Sequence, residues 1–168
     1  MTVKEAIETR RSIRKYDSRP VEEEKLLSVM EAGRLSPSAA NGQNWRFILV
    51  RDPEKLKQLH AASDNQPSVA EAPACIVAVA TSTRTMDCGQ ETGAMDASIA
   101  MTQMLLAAHE LGLGTCWLGH FFAPQVKTAL SIPDSAEVIA FTPIGYPAET
   151  PDARPRKAFS EVLSFDGF

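Results

Sequence analysis

Three arginines and a hydroxyl crowd together at Arg10-Arg11-Ser12-Ile13-Arg14. Arginine presents a planar fork of donors that matches phosphate oxygens, so this run at a helix end is equipped to hold a phosphate. If the chain becomes extended after Thr9, side chains two apart share a face, and Arg10, Ser12 and Arg14 point the same way. The plainer alternative is a solvated basic patch. A second pair of cations, Arg156-Lys157, follows Gly145-Tyr146-Pro147 near the other end of the chain. It would complete a phosphate site begun at Arg10, or belong to a solvated tail.

Two further segments carry recognition chemistry. Pro37–Trp45 is small and polar, with Ser38, Asn41, Gln43 and Asn44 ahead of an aromatic. Such a loop suits the polar edge of a planar ligand, or is a surface turn that starts a strand. In Gly112–His120, glycines bracket Thr115-Cys116-Trp117-Leu118 and would let backbone approach a flat ligand closely. The other reading is a core strand with helix-stop glycines. Neither a G-x-G-x-x-G fingerprint nor a P-loop is present. His60, His109 and His120 are scattered, no metal-ligand spacing occurs, and no Ser-His-Asp set can be assembled. Cys116 reads as a buried thiol, not a nucleophile.

The elements that must position these residues follow from apolar spacing. Val3, Ala6 and Ile7 define one face of a first helix, and a second runs from about Val21 to Ala32 with Gly33 as its stop. Arg46–Val50 reads as a strand. Asp52-Pro53 opens a helix carrying Leu56 and Leu59. Ala74–Ala80 is a continuous apolar strand fit for the centre of a covered sheet. Asp96–Glu110 is the strongest helix, apolar round much of its circumference, and belongs in the core or against a second subunit. Thr115–Leu118, Pro124–Leu130 and Val138–Ile144 complete the pattern as strand, helix and strand. The tail from Phe159 to Phe168 carries large apolar side chains that need a partner surface.

The 168 residues make one domain's worth of chain, 1–168, with 44% hydrophobic and 23% charged residues. Net charge is −4, from 17 Lys+Arg against 21 Asp+Glu, which argues against a broad nucleic-acid footprint. The three cysteines are too few for a disulfide framework, and no apolar run has membrane-spanning length. With no signal-peptide h-region at the start, a cytoplasmic location is the expectation.

Five segments together resemble the nitroreductase-like family of FMN-dependent oxidoreductases. They are RRSIRKY (Arg10–Tyr16), PSAANGQNWRF (Pro37–Phe47), the helix and strand of Met95–Gly119, IGYP (Ile144–Pro147) and RKAFSEV (Arg156–Val162), in the family's order. The resemblance implies an α+β fold: a central, mainly antiparallel sheet flanked by helices, with a long buried central helix. It further implies a homodimer, the C-terminal tail packed on the partner, and FMN at the interface.

By the same resemblance, Arg10, Arg11 and Ser12 bind the FMN phosphate and ribityl chain, joined by Arg156 and Lys157. Arg14 matches the cation beside the pyrimidine edge, where negative charge develops on reduction. Pro37, Ser38, Ala39 and Asn41 match a loop that reaches the ring from the partner. Trp117, Leu118 and Gly119 match the segment over the ring, with a backbone N–H near Gly119 addressing N5. Asn65 falls near the pyrimidine edge. Asn44 departs from the family, which has proline there. The implied chemistry is ping-pong hydride transfer from NADH or NADPH through flavin N5 to a small conjugated acceptor such as a nitroaromatic or quinone, without an acid–base side chain or metal. This short chain would be a compact member with an open pocket. The alternatives are a specialised flavin enzyme such as a reductive dehalogenase, and a phosphate- or nucleotide-binding module without redox chemistry.

Overall fold

A computed structural model describes residues 1–168. In chain order the elements are α1 (Val3–Thr9), α2 (Glu23–Arg34), β1 (Trp45–Val50), α3 (Pro53–Ala62), α4 (Pro67–Glu71), β2 (Ala74–Ala80), α5 (Thr92–Glu110), β3 (Gly114–Thr115), α6 (Ala123–Leu130) and β4 (Glu137–Gly145), with 3₁₀ turns at Ala39–Asn41 and Phe159–Glu161. The four strands form one antiparallel sheet in the order β1-β2-β4-β3. The expected α+β architecture is therefore what the chain adopts.

β2 is buried along its whole length, and its side chains divide by alternation. Ala74, Ile76 and Ala78 join a core with Leu26 and Val29 of α2 and Met101 and Met104 of α5. Cys75, Val77 and Val79 join a second core with Leu59 of α3, Val69 of α4, Val126 of α6 and Phe141. Each large side chain fully buried here contributes about 1.5–3 kcal/mol over leaving it in water. The sheet is thus covered on both faces, with α5 lying across one of them.

Local chemistry sets the boundaries. Thr2 and Glu5 form a reciprocal cap at the start of α1, and Asp52 caps α3 with Pro53 at its first turn. Gly33 does not stop α2 as its sequence context suggests. It lies inside the helix, where a Cβ would fall 2.8 Å from Met104 Sδ; the missing side chain lets α2 and α5 approach. α5 starts at Thr92, ahead of the expected Asp96, because Thr92 is buried and bonded to Arg84 through both its hydroxyl and its N–H. The apolar face of α1 buries only Ala6, leaving Val3 and Ile7 exposed.

Candidate functional site

After α1 the chain turns extended at Arg10 and is laid against the sheet edge by backbone bonds. Ile13 N–H donates to Thr115 O at 2.9 Å, and Ser12 forms a parallel bridge with Thr115. Tyr16 pairs antiparallel with Pro147, and Ala148 N–H donates to Lys15 O at 2.9 Å. Glu149 secures the same stretch from the other side: its Oε1 accepts Arg14 N–H at 2.5 Å and Lys15 N–H at 3.2 Å. Ile13 and Tyr16 point inward and are buried. Tyr16 Oη donates to Ile13 O at 2.6 Å, and burial pushes its phenol well above the ordinary range.

This frame gathers the two charge clusters from opposite ends of the chain. Arg10, Arg11, Ser12 and Arg14 line one hollow of about 380 Å³ with Arg154 and Arg156. None of Arg10, Arg14, Arg154 and Arg156 takes part in an ion pair. Arg11 is partly engaged, because its Nη1 donates to Glu8 O at 2.8 Å and Arg10 O at 3.0 Å at the end of α1. Lys157 is not among the lining residues, whereas Arg154, absent from the sequence-based set, is. Arg154 and Arg156 stand two apart in a stretch that is neither helix nor strand, and both line the hollow.

From Thr115 the chain continues past Cys116, whose N–H donates to Thr142 Oγ1 at 3.0 Å, to Leu118, which pairs with Phe141. Cys116 and Leu118 point inward while Trp117 is exposed. Burial raises the Cys116 thiol, in keeping with an inert role. A Cβ at Gly119 would meet nothing within 4 Å, and the Gly119 N–H has no partner in the chain. The other bracketing glycines have different work: Gly112 ends α5 at φ +76°, and Gly114 makes room for Ile13. Just beyond, His120 Nε2 lies 3.5 Å from Asp64 Oδ2, and Phe122 N–H donates to Ala62 O at 2.8 Å. These contacts bring the left-handed turn of Asp64 and Asn65, both at φ +57°, beside Trp117–Gly119.

The Pro37–Trp45 loop lies elsewhere. Ala39 N–H donates to Asp96 Oδ1 at 3.1 Å, near the start of α5, whereas Thr9 Oγ1 meets His109 Nε2 at 2.8 Å near its end. Thirteen residues of helix separate those anchors, about 20 Å of rise. β1, which follows the loop, is also the sheet edge opposite β3. One copy of the chain therefore brings Arg10, Ser12, Arg14, Arg156, Asn65 and Trp117–Gly119 to one side, and leaves Pro37, Ser38, Ala39 and Asn41 at the other.

The profile of the family described as "Nitroreductase family" matches residues 7–74 and 60–146. A Methanothermobacter thermautotrophicus protein provisionally named NADH dehydrogenase/NAD(P)H nitroreductase is 38% identical over 158 residues, covering 92% of this chain and 82% of that protein. The crystal structure of a nitroreductase family protein from Clostridium difficile superposes with a TM-score of 0.89 at 30% identity, covering 100% of both chains. An FMN-dependent nitroreductase from the same species gives 0.85 at 32% identity, over 97% of this chain and 98% of that one. Sequence and fold lead to one conclusion: the chain belongs to the nitroreductase family.

Proposed function

We propose that residues 1–168 act as a single FMN-binding domain and that a pair of such chains is an NAD(P)H-dependent oxidoreductase. The observation that carries this reading is the hollow in which five arginines converge with Ser12 while none of them takes part in an ion pair. Like charges held that close repel, and a dianionic phosphate relieves the repulsion with charge-assisted hydrogen bonds. The donor set therefore fits FMN, as does the unpaired amide of Gly119 farther along the same edge.

In this reading Arg10, Arg11, Ser12, Arg154 and Arg156 hold the phosphate and ribityl chain, and Arg14 stands at the pyrimidine edge with Asn65. Trp117, Leu118 and Gly119 back the ring, with the Gly119 N–H as a donor. When bound, FMN supplies hydride transfer between NADH or NADPH and a small conjugated acceptor, a nitroaromatic or quinone, which take turns at one ring in ping-pong order. Pro37, Ser38, Ala39 and Asn41 complete each site from a second copy, since about 20 Å of helix rise separates their anchor on α5 at Asp96 from the anchor of the cation run at His109. The exposed apolar side chains of α1 and of the tail, Val3, Ile7, Phe159, Val162 and Phe165, supply the surface for that pairing. No helix is long and apolar enough to cross a membrane, and we assign the pair to the cytoplasm.

The test is direct. Purified protein should be yellow, release FMN on denaturation, and bleach when mixed anaerobically with NADH or NADPH. A panel of nitroaromatics and quinones should then restore the colour. Arg10→Ala should weaken FMN binding by tenfold or more, as expected for loss of a charged hydrogen bond of about 1.5–3 kcal/mol. Colourless protein that takes up no added FMN would overturn the reading, as would unchanged affinity in the variant.

A further inference from the structure

Asp96 lies on the buried side of α5, only 2% exposed. Its Oδ1 accepts the Ala39 N–H at 3.1 Å, and its Oδ2 is buried without any donor. Burying a carboxylate with one oxygen unanswered is costly, and a residue serving packing alone would be apolar. The loop across that bond is also held against its preferences. Ala40, Asn41 and Gln43 have φ of +51°, +53° and +51°, and none is glycine. Such conformations persist where the surroundings over-determine them, and they gather at ligand sites.

The loop's remaining hydrogen bonds do not supply that constraint. Gln43 N–H donates to Ser38 Oγ at 3.0 Å, and Gln43 Nε2 reaches Asn41 O and Oδ1, all within the loop. Its ends are tied by Ser36 Oγ donating to Gln103 Oε1 at 2.6 Å and by Thr81 N–H donating to Asn44 O at 3.1 Å. Between those ends, apart from the local bond that Trp45 N–H at the start of β1 donates to Gln43 O at 2.8 Å, Ala39 to Asp96 is the one hydrogen bond that joins residues 37–43 to the body of the fold.

We propose that Asp96 is a positioning residue for the half-site carried by this loop. Its carboxylate holds Ala39–Gln43 in the left-handed course that presents Ser38 and Asn41 to a ligand on a second copy. The ligand in this statement rests on the function proposed above; the grip of Asp96 on the loop stands on this chain alone.

Amide hydrogen exchange and steady-state kinetics on Asp96→Ala and Asp96→Asn test it. The alanine variant should speed exchange of the Ala39–Gln43 amides about tenfold while amides of α5 and the sheet keep their protection. It should raise KM for the acceptor about fivefold with kcat held. The asparagine variant keeps a carbonyl oxygen for Ala39 N–H and should restore both. Ala39→Pro removes the same bond from the loop side. Ser38 is already extended, as a residue before proline requires, and Ala39 opens the 3₁₀ turn, where proline is tolerated. It should reproduce the alanine effect on the Ala40–Gln43 amides even if Asp96→Ala does not fold, and the two together should be no worse than either. Unchanged loop exchange in Asp96→Ala or Ala39→Pro overturns the proposal, as does acceleration spread evenly over α5 and the sheet. Wild-type protein that binds no FMN would defeat the functional reading, while the exchange arm still decides the role of Asp96.

Discussion

Ile13 fills the space that a side chain on Gly114 would take. A Cβ at Gly114 would lie 2.8 Å from the Cβ, Cγ1 and Cγ2 of Ile13. The glycine of β3 thereby sets how closely the Arg10–Arg14 run lies against the sheet, and so where its guanidiniums stand.

Gly114→Ala should push Ile13 outward. Overpacking of this kind costs about 1–3 kcal/mol. Because the displaced segment carries Arg10, Ser12 and Arg14, FMN affinity should fall along with the thermal midpoint. Gly119→Ala, which meets open space, should leave the midpoint in place. Calorimetry and flavin titration on the two variants make the comparison.

Glu149 is the second positioner of that run, through the backbone amides of Arg14 and Lys15. Hydrogen bonds to a charged group contribute about 1.5–3 kcal/mol each. Glu149→Ala should therefore weaken FMN binding about tenfold, although it removes a negative charge beside a cation cluster. A purely electrostatic role would give tighter binding instead, so the sign of the change decides the matter.

Arg154 and Arg156 should act on the phosphate alone. Alanine at either position should weaken FMN binding tenfold or more, at about 1.5–3 kcal/mol per charged contact. Riboflavin, which lacks the phosphate, should bind all variants equally. Lys157→Ala should leave both ligands unchanged. Fluorescence quenching of the two flavins with the three variants gives the six comparisons.

His109 links the cation run to α5 and carries a pH dependence. The Thr9 hydroxyl donates to Glu5 O at 2.5 Å, so it accepts from His109 Nε2–H. Burial, followed by Arg10 and Arg11, holds the His109 pKa below the ordinary histidine value. The native state then binds fewer protons than the unfolded state across that interval. Its stability is complete above the ordinary histidine range and declines as the pH falls through the lowered value. His109→Gln should flatten this share of the acid-side loss in a series of melting curves between about pH 7 and about pH 5. Inorganic phosphate, by offsetting Arg10 and Arg11, should raise the His109 midpoint seen by NMR.

Much of the frame is legible in the chain's own pattern. Ala74–Ala80 is apolar at every position because both faces of β2 are covered, and a continuous run admits little else. The cation cluster is equally visible, since charge type and spacing are sequence properties. What stays hidden depends on residues meeting across the fold. Gly33 resembles a helix stop until Met104 is found beside it. Glu149 leaves no signature, because a carboxylate that grips two backbone amides resembles any surface acid. Arg154 is overshadowed by the adjacent Arg156-Lys157 pair, because nothing in residue type or spacing tells which of the three cations faces the hollow. The course of Ala40–Gln43 has no glycine in the left-handed positions to announce it.

The separation of the Pro37–Gln43 loop from the cation hollow along α5 has a genetic consequence. A copy with Arg10→Ala still offers a sound loop, and a copy with Ser38→Ala and Asn41→Ala still offers sound cations. Co-expressed at FMN levels that leave each version's own sites empty, the two impaired versions should complement each other. Each mixed pair regains one whole site and concentrates both lesions in the other, so a random mixture recovers about a quarter of the wild-type sites.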